Sequence, residues 1–258
     1  VYGDSELVLG KALAGRRAQV VIATKFGIAR DGLAGGASAS YVQQAAERSL
    51  KRLGTDYLDI LYLHRPDPKV PLEETLGALE QLIRQGKVRH AAASNMTPEL
   101  LREAGSIAAA RHSSGFIATQ EHYNLLIRGI ERTLVPLAGE LGMGIIPYFP
   151  LESGLLTGKY RRGTPPPPGT RFNAWKRFTE TLTEENFDRV ERLQSFAEAH
   201  GHTIAELAIA WLLARPYVPS VIAGATRPAQ LEANCRAVEW QLTAQELQEV
   251  ERLLAPTA

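Results

Sequence analysis

The stretch "YLDILYLH" at 57–64 decides how this chain folds. It is apolar almost without interruption, which is typical of a strand buried on both faces of a sheet. It ends on His64, and the segment from Leu72 to Arg84 follows with its leucines at helical spacing. A buried strand followed by an amphipathic helix is the repeating unit of a parallel α/β fold.

The same unit recurs along the chain. Strands are expected at 19–25, 57–64, 88–95, 116–124, 144–151 and 220–225, and helices at 41–53, 72–84, 98–111, 130–141, 184–200, 204–214, 228–238 and 243–254. The proline-rich stretch "RRGTPPPPGTRFNAW" at 161–175 is expected to form an ordered surface loop or lid. No interior linker divides the chain, so residues 1–258 are predicted to form one domain. Six such units suit an open doubly wound sheet or most of a (β/α)₈ barrel.

The composition narrows the class of partner. The formal net charge is +1 and the positive residues are scattered, so neither nucleic acid nor a membrane surface is indicated as a partner. No signal peptide and no apolar run of about 18 residues is present, so no membrane span is expected. The single cysteine, Cys235, excludes an internal disulfide framework, and no Cys/His spacing resembles a metal site. A small-molecule partner and a reducing, cytoplasmic location are therefore expected.

Polar or small residues stand at the carboxyl end of each predicted strand. They are Lys25, His64, Ser94, Asn95, Gln120, Tyr148 and Gly224. In a (β/α)₈ barrel these ends converge around one mouth, whereas in a doubly wound sheet only those near the switch point share a site. Four of them can also be explained without a site. Lys25 can be a solvated strand end, His64 can pair with Asp67, and the side-chain amides of Asn95 and Gln120 can form hydrogen bonds with loop backbone. Their matching positions favour a site.

The opening stretch "YGDSELVLGKAL" at 2–13 supplies a group of another kind. Ser5 is expected to cap a helix that begins at Glu6, with Leu7 and Leu9 on its inward face. Tyr2 then precedes the helix, in the loop that would follow a strand. We expect it at the same mouth.

These motifs resemble the aldo-keto reductase family over the whole chain. The stretches that carry the resemblance are "YGDSE", "ATKFG", "RLGTDYLDILYLHRPD", "IPYFPLESGLLTGKY" and "IAGATRPAQLEAN", in that order. The resemblance implies a (β/α)₈ TIM barrel that binds NADP(H) in extended form across the strand ends, without a Rossmann domain. In the family, two strands and a helix precede the tyrosine. The first two strands, about 50 residues with the catalytic aspartate five residues before Tyr2, are therefore expected upstream of Val1.

The resemblance also assigns roles to residues. Carbonyl reduction needs a hydride, which implies a nicotinamide cofactor, and a proton donor, which a tyrosine becomes when a nearby ammonium lowers its pKa. Tyr2, Lys25 and His64 are the implied catalytic residues. The implied cofactor-binding residues are Ser94, Asn95, Gln120, Tyr148, Pro150, Leu151, Gly154, Gly158, Lys159, Arg171, Gly224, Thr226, Arg227, Gln230 and Asn234. Arginine at the adenosine end favours NADP(H) over NAD(H), although Ala233 replaces a glutamate that some relatives carry. Phe26, Phe149 and Trp175 are candidates for lining the substrate pocket.

The expected function is NADP(H)-dependent reduction of aldehydes or ketones to alcohols, or oxidation of aldoses in reverse. Two alternatives stand beside it. One is an NADP(H)-binding regulatory subunit similar to potassium-channel β subunits, and the other is a barrel aldolase with Lys25 as a Schiff-base nucleophile. Neither the substrate nor the oligomeric state can be read from the sequence.

Overall fold

The computed structural model describes residues 4–28, 35–174 and 176–255, with only the backbone for 176–178. Tyr2 and Trp175 lie outside the described residues. The chain divides into two compact units. The first contains the residues up to Gln120 together with Thr133–Gly144, and the second contains Glu121–Arg132 together with the residues from Ile145 onwards.

The first unit is a parallel sheet with its helices. Its elements are α1 (Ser5–Ala12), β1 (Ala23–Phe26), α2 (Ala39–Leu53), β2 (Leu58–Leu63), α3 (Leu72–Arg84), β3 (Val88–Ser94), α4 (Pro98–Ala110), β4 (Phe116–His122) and α5 (Leu134–Glu140). The last two residues of β4 belong to the second unit. The strands pair in parallel in the order β1, β2, β3, β4. All four carboxyl ends therefore lie at one edge of the sheet.

Local signals explain where the helices of this unit begin and end. The Ser38 side chain accepts from the Tyr41 N–H at the start of α2, and Gly54 ends that helix with a φ of 63°. Thr97 caps α4 in the same way, with Pro98 at its first position. β2 is buried along most of its length, as its apolar sequence predicts.

The second unit is mainly helical. Its elements are β5 (Gly144–Tyr148, whose first residue belongs to the first unit), α6 (Arg171–Ala174), α7 (Glu184–Ala199), α8 (Ile204–Leu213), α9 (Pro228–Arg236) and α10 (Ala244–Leu254). A capping box formed by Thr243 and Glu246 begins α10. Trp211, Leu207 and Leu193 are fully buried at the centre of this unit's apolar core.

Three local expectations are wrong. Asp4, not Ser5, holds the N-cap position of α1, and the buried residue of that helix is Glu6, whereas Leu7 and Leu9 are about two-fifths exposed, at 41% and 40%. The strand expected at 220–225 is reduced to a single parallel bridge between Tyr148 and Ile222. A 3₁₀ turn occupies 129–132, so α5 begins at 134 and not at 130.

The observed order of parallel strands and helices confirms the predicted α/β class. Within the described part of the chain, no helix combines the length and the apolar character that crossing a membrane requires.

Candidate functional site

Hydrogen bonds join the carboxyl ends of β1 to β4 in the first unit. The His64 N–H donates to the Phe26 carbonyl at 2.9 Å. Asn95 Nδ2 donates to the His64 carbonyl at 3.1 Å, and Ser94 Oγ donates to the Gln120 carbonyl at 2.8 Å. Asn95 has a φ of 57°, a conformation that asparagine tolerates better than most residues. Hydrogen bonds thus connect four of the predicted strand-end residues, His64, Ser94, Asn95 and Gln120. The side chains of Ser94 and Asn95 also satisfy backbone carbonyl groups.

Lys25 of β1 lies beside Tyr62 of β2, near this edge. The two residues are paired in register, and Lys25 Nζ is 5.7 Å from the centre of the Tyr62 ring. Burial lowers the pKa of the Lys25 ammonium below its ordinary value. Tyr62 is 2% exposed, hydrogen-bonds with the Gln120 side chain, and has a pKa raised by burial. Tyr62 was not among the predicted residues, although it is a polar residue within the mainly apolar run of β2, which also contains Asp59.

His64 follows the last residue of β2 and is half-buried. Burial, and after it the positive charges of Lys25 and Arg65, lower the pKa of His64 to about 4. The imidazole is therefore neutral near pH 7 and can donate one hydrogen bond through one ring nitrogen and accept one through the other.

In the second unit, Tyr148 ends β5 and Pro150 and Leu151 follow it. The backbone then turns through left-handed conformations, with a φ of 54° at Ser153 and 99° at Gly154. A Cβ added at Gly154 would lie 2.5 Å from Lys159 Nζ, at the end of a flexible side chain, and the φ of 99° itself favours glycine at this position. Gly158, with a φ of 73°, ends this turn.

The remaining predicted residues lie on two short stretches of the second unit. Arg171 is the exposed first residue of α6, and its guanidinium lies 5.3 Å from the centre of the Phe149 ring. Gly224, Thr226 and Arg227 precede α9 and are exposed. Gln230 Oε1 accepts from the Thr226 N–H and hydroxyl at 2.9 and 3.0 Å. Asn234 lies further along α9.

Four buried side-chain polar atoms of this unit have no hydrogen-bond partner among the described residues, and two of them belong to neutral side chains. These two are Ser153 Oγ, in the left-handed turn, and Asn234 Nδ2, on α9; the other two are the Nε atoms of Arg192 and Arg215. A buried polar atom without a partner costs about 1 to 3 kcal/mol, so its presence calls for an explanation. Ser153 Oγ and Asn234 Nδ2 lie in stretches that the sequence assigns to a dinucleotide, Asn234 being one of the predicted residues.

Glu152 and His122 of the second unit were also not predicted. Glu152 is 2% exposed, and its carboxylate accepts from His122 Nε2 at 2.6 Å and from Asn124 Nδ2 at 2.7 Å. The available signal was a lone charge within "IIPYFPLESGLL", an otherwise apolar stretch.

Comparison with known proteins identifies the family. The model of the aldo/keto reductase family matches residues 1–255. The chain is 37% identical to "Probable aldo-keto reductase 1" of Glycine max, over 97% of this chain and 72% of that protein. It is 35% identical to "Aldo-keto reductase str7" of Strobilurus tenacellus, over 98% and 74% of the two chains. It is also 37% identical to "Putative voltage-gated potassium channel subunit beta" of Schizosaccharomyces pombe, over 98% and 77%.

The family match covers nearly the whole chain, and the resemblance seen in the motifs is thereby confirmed. The parallel strands with their helices agree with the fold of that family. The chain belongs to the aldo/keto reductase family of oxidoreductases, whose members fold as (β/α)₈ barrels.

Proposed function

We propose that this chain is an NADP(H)-dependent reductase of aldehydes or ketones, with Tyr2, Lys25 and His64 as its catalytic residues. The observation that carries the proposal is the row of strand ends in the first unit, where a lysine and a histidine of lowered pKa share one edge. Perturbed pKa values at one edge of a sheet are typical of catalytic groups.

The cofactor fits the residues of the second unit. Ser153 Oγ and Asn234 Nδ2 are buried atoms that still need partners, and Lys159 holds its ammonium over the left-handed turn. Phosphate oxygens and adenine nitrogens are suitable acceptors for such donors. The residues proposed to hold the dinucleotide are Ser94, Asn95, Gln120, Tyr148, Pro150, Leu151, Gly154, Gly158, Lys159, Arg171, Gly224, Thr226, Arg227, Gln230 and Asn234. When bound, the cofactor supplies the hydride.

The side chains supply the proton and the orientation. Tyr2 donates the proton to the alkoxide that develops from the carbonyl, and the Lys25 ammonium favours the phenolate that remains. His64 is neutral, so it donates a hydrogen bond to the carbonyl oxygen and orients the substrate without a full charge.

The test is NADPH consumption with a panel of aldehydes, comparing the unaltered protein with Tyr2→Phe. We expect turnover in the first and a loss of roughly 10²- to 10⁴-fold in the second. Equal turnover in both proteins would reject Tyr2 as the proton donor.

Cofactor choice has its own test. An arginine can bind a 2′-phosphate through two charge-assisted hydrogen bonds, so Arg227→Ala should weaken NADPH binding about tenfold and leave NADH binding nearly unchanged. If the ratio of the two dissociation constants stayed the same, the preference for NADP(H) would lose its support.

A second candidate is an NADP(H)-binding regulatory subunit. It is favoured by the similarity to proteins named as potassium channel β subunits in Schizosaccharomyces pombe and Arabidopsis thaliana. Tight NADPH binding without turnover of any aldehyde would support this candidate over the reductase.

We also propose a single catalytic domain over residues 1–258 and a cytoplasmic location. The family match spans 1–255, and a lone cysteine, Cys235, suits a reducing compartment.

A further inference from the structure

A buried carboxylate stands where the proposed mechanism has no use for one. Glu152 is 2% exposed and follows β5 by a few residues. Glutamate is almost never fully buried unless it is paired. Here His122 Nε2 and Asn124 Nδ2 both donate to the same oxygen, Oε2. With the carboxylate as the acceptor, His122 Nε2 is the donor in this pair.

The backbone around Glu152 is strained. Phe149, Glu152 and Ser153 all have a positive φ, at 55°, 40° and 54°. Such conformations cost of the order of 1 to 3 kcal/mol each and persist only when the surroundings hold them. Asn124 provides part of that hold, because its Nδ2 also donates to the Phe149 carbonyl at 2.9 Å.

Asn124 is in turn fixed at its other end. Its Oδ1 accepts from the N–H groups of Leu126 and Ile127, both at 2.9 Å. The Asn124 side chain therefore links the strained turn to the segment after β4. Its hydrogen bond to Glu152 is a second link to the same turn. A network in which each polar group has a partner keeps one arrangement of its members.

The His122 ring connects this network to Tyr148. It stacks on the Tyr148 ring with 5.4 Å between the ring centres and 20° between the planes. Its edge meets Phe149 at 5.5 Å and 81°. The hydrogen bond from Nε2 to Glu152 prevents the imidazole from turning about its own axis, and the orientation of His122 limits the orientation of Tyr148.

We propose that Glu152 and His122 are positioning residues that hold the Tyr148 ring in one plane. This rests on the proposed function, in which the ring of Tyr148 stacks on the nicotinamide. Neither residue touches the reacting atoms in that mechanism. Glu152 acts on His122 through a hydrogen bond, and His122 acts on Tyr148 through stacking.

The experiment measures the Tyr148 ring directly in the ligand-free protein. Its ring order is obtained from ¹³C relaxation in tyrosine-labelled protein, with the signal assigned by Tyr148→Phe. Three variants are compared: Glu152→Gln, which keeps the volume but removes the charge; His122→Phe, which keeps a ring but removes the donor; and the double variant. Glu251→Gln is the matched control, because Glu251 carries hydrogen bonds from Arg128 and Arg215 elsewhere in the same unit.

We expect both single variants to lower the Tyr148 ring order and the double variant to lower it no further, because the two residues act in series. The NADPH dissociation constant should rise about tenfold in each single variant, as for a lost hydrogen bond to a charged group. Glu251→Gln should leave both quantities unchanged.

A Tyr148 ring as ordered in His122→Phe as in the unaltered protein would overturn the proposal, and so would fully additive effects in the double variant. If Glu152→Gln does not fold, the His122→Phe protein still decides, because it leaves Glu152 bonded to Asn124. If the unaltered protein does not bind NADPH, the proposed function fails, while the ring measurement still tests the positioning role.

Discussion

The two edges of the sheet in the first unit carry charge in opposite ways. At the amino edge, Asp59 of β2 is buried and accepts from Arg17 at 2.7 Å, from Arg89 at 2.8 Å and from the Ile22 N–H at 2.8 Å. Burial alone would raise the pKa of Asp59, but these hydrogen bonds and the two arginine charges hold it below its ordinary value. The fold itself compensates this charge.

At the carboxyl edge, a positive charge disfavours the protonated form of a neighbouring basic group. Lys25 and His64 both have a pKa lowered chiefly by burial, and the charge of Lys25 lowers the pKa of His64 further. Lowered pKa values of neighbouring basic groups are typical of catalytic sites, so the proposed function assigns the chemistry to the carboxyl edge, whereas Asp59 and its partners stabilise the amino edge.

The largest effect should come from removing the cation at the carboxyl edge. We expect Lys25→Met to lower kcat for aldehyde reduction by roughly 10²- to 10⁴-fold, because the phenolate of Tyr2 loses its stabilising charge. The matched control is Lys87→Met, since Lys87 precedes β3 at the amino edge and pairs with Glu47. Steady-state kinetics of the two variants compare the two edges directly. Equal losses of kcat in both variants would contradict the proposed difference between the edges.

The next effect concerns stability. Asp59→Ala should lower the free energy of unfolding by about 3 kcal/mol, because it leaves the partly buried Arg17 and the Ile22 N–H without their shared acceptor. Asp56→Ala, at an exposed aspartate nearby, should change it by less than about 0.5 kcal/mol. Urea unfolding measures the free energy of unfolding of both variants. If Asp59→Ala were as stable as the unaltered protein, the amino edge would not depend on this pairing.

The smallest effect is a shift in one titration. The His64 ring should take up its proton near pH 4, well below the ordinary 6.5, because burial and Lys25 disfavour the imidazolium. In Lys25→Met the titration midpoint should rise, since one positive neighbour is gone. Histidine NMR signals followed against pH give both values. A midpoint near 6.5 in the unaltered protein would contradict the proposed burial of the charge.

The parts of the fold that could be predicted are those determined by residues close together in the sequence. The bounds of α3, Leu72–Arg84, agree with the prediction because its apolar face repeats with the helical period within the sequence itself. The helix α1 was predicted, but its buried face was predicted wrongly, because the buried Glu6 is held by Thr24 and Arg52, which are distant in sequence. Apolar spacing does not reveal a carboxylate whose partners come from other elements.

The candidate site shows a similar limit. Lys25, His64 and Asn95 could be singled out because each follows an apolar strand run. Tyr62 and Glu152 were missed, although each is a polar residue within a mainly apolar stretch, because their partners, Gln120 and His122, are distant in sequence. Only the folded chain brings these groups together.

The most direct test of the account is deuterium transfer from NADPH labelled at the hydride position. The alcohol formed from an unlabelled aldehyde is analysed by mass spectrometry for the unaltered protein, Lys25→Met and Asp59→Ala, under conditions in which all three are folded. We predict one deuterium per alcohol molecule, formed at similar rates by the unaltered protein and Asp59→Ala, and at least about 100-fold more slowly by Lys25→Met. Unlabelled alcohol, or similar rates for Lys25→Met and Asp59→Ala, would contradict the assignment of chemistry to the carboxyl edge.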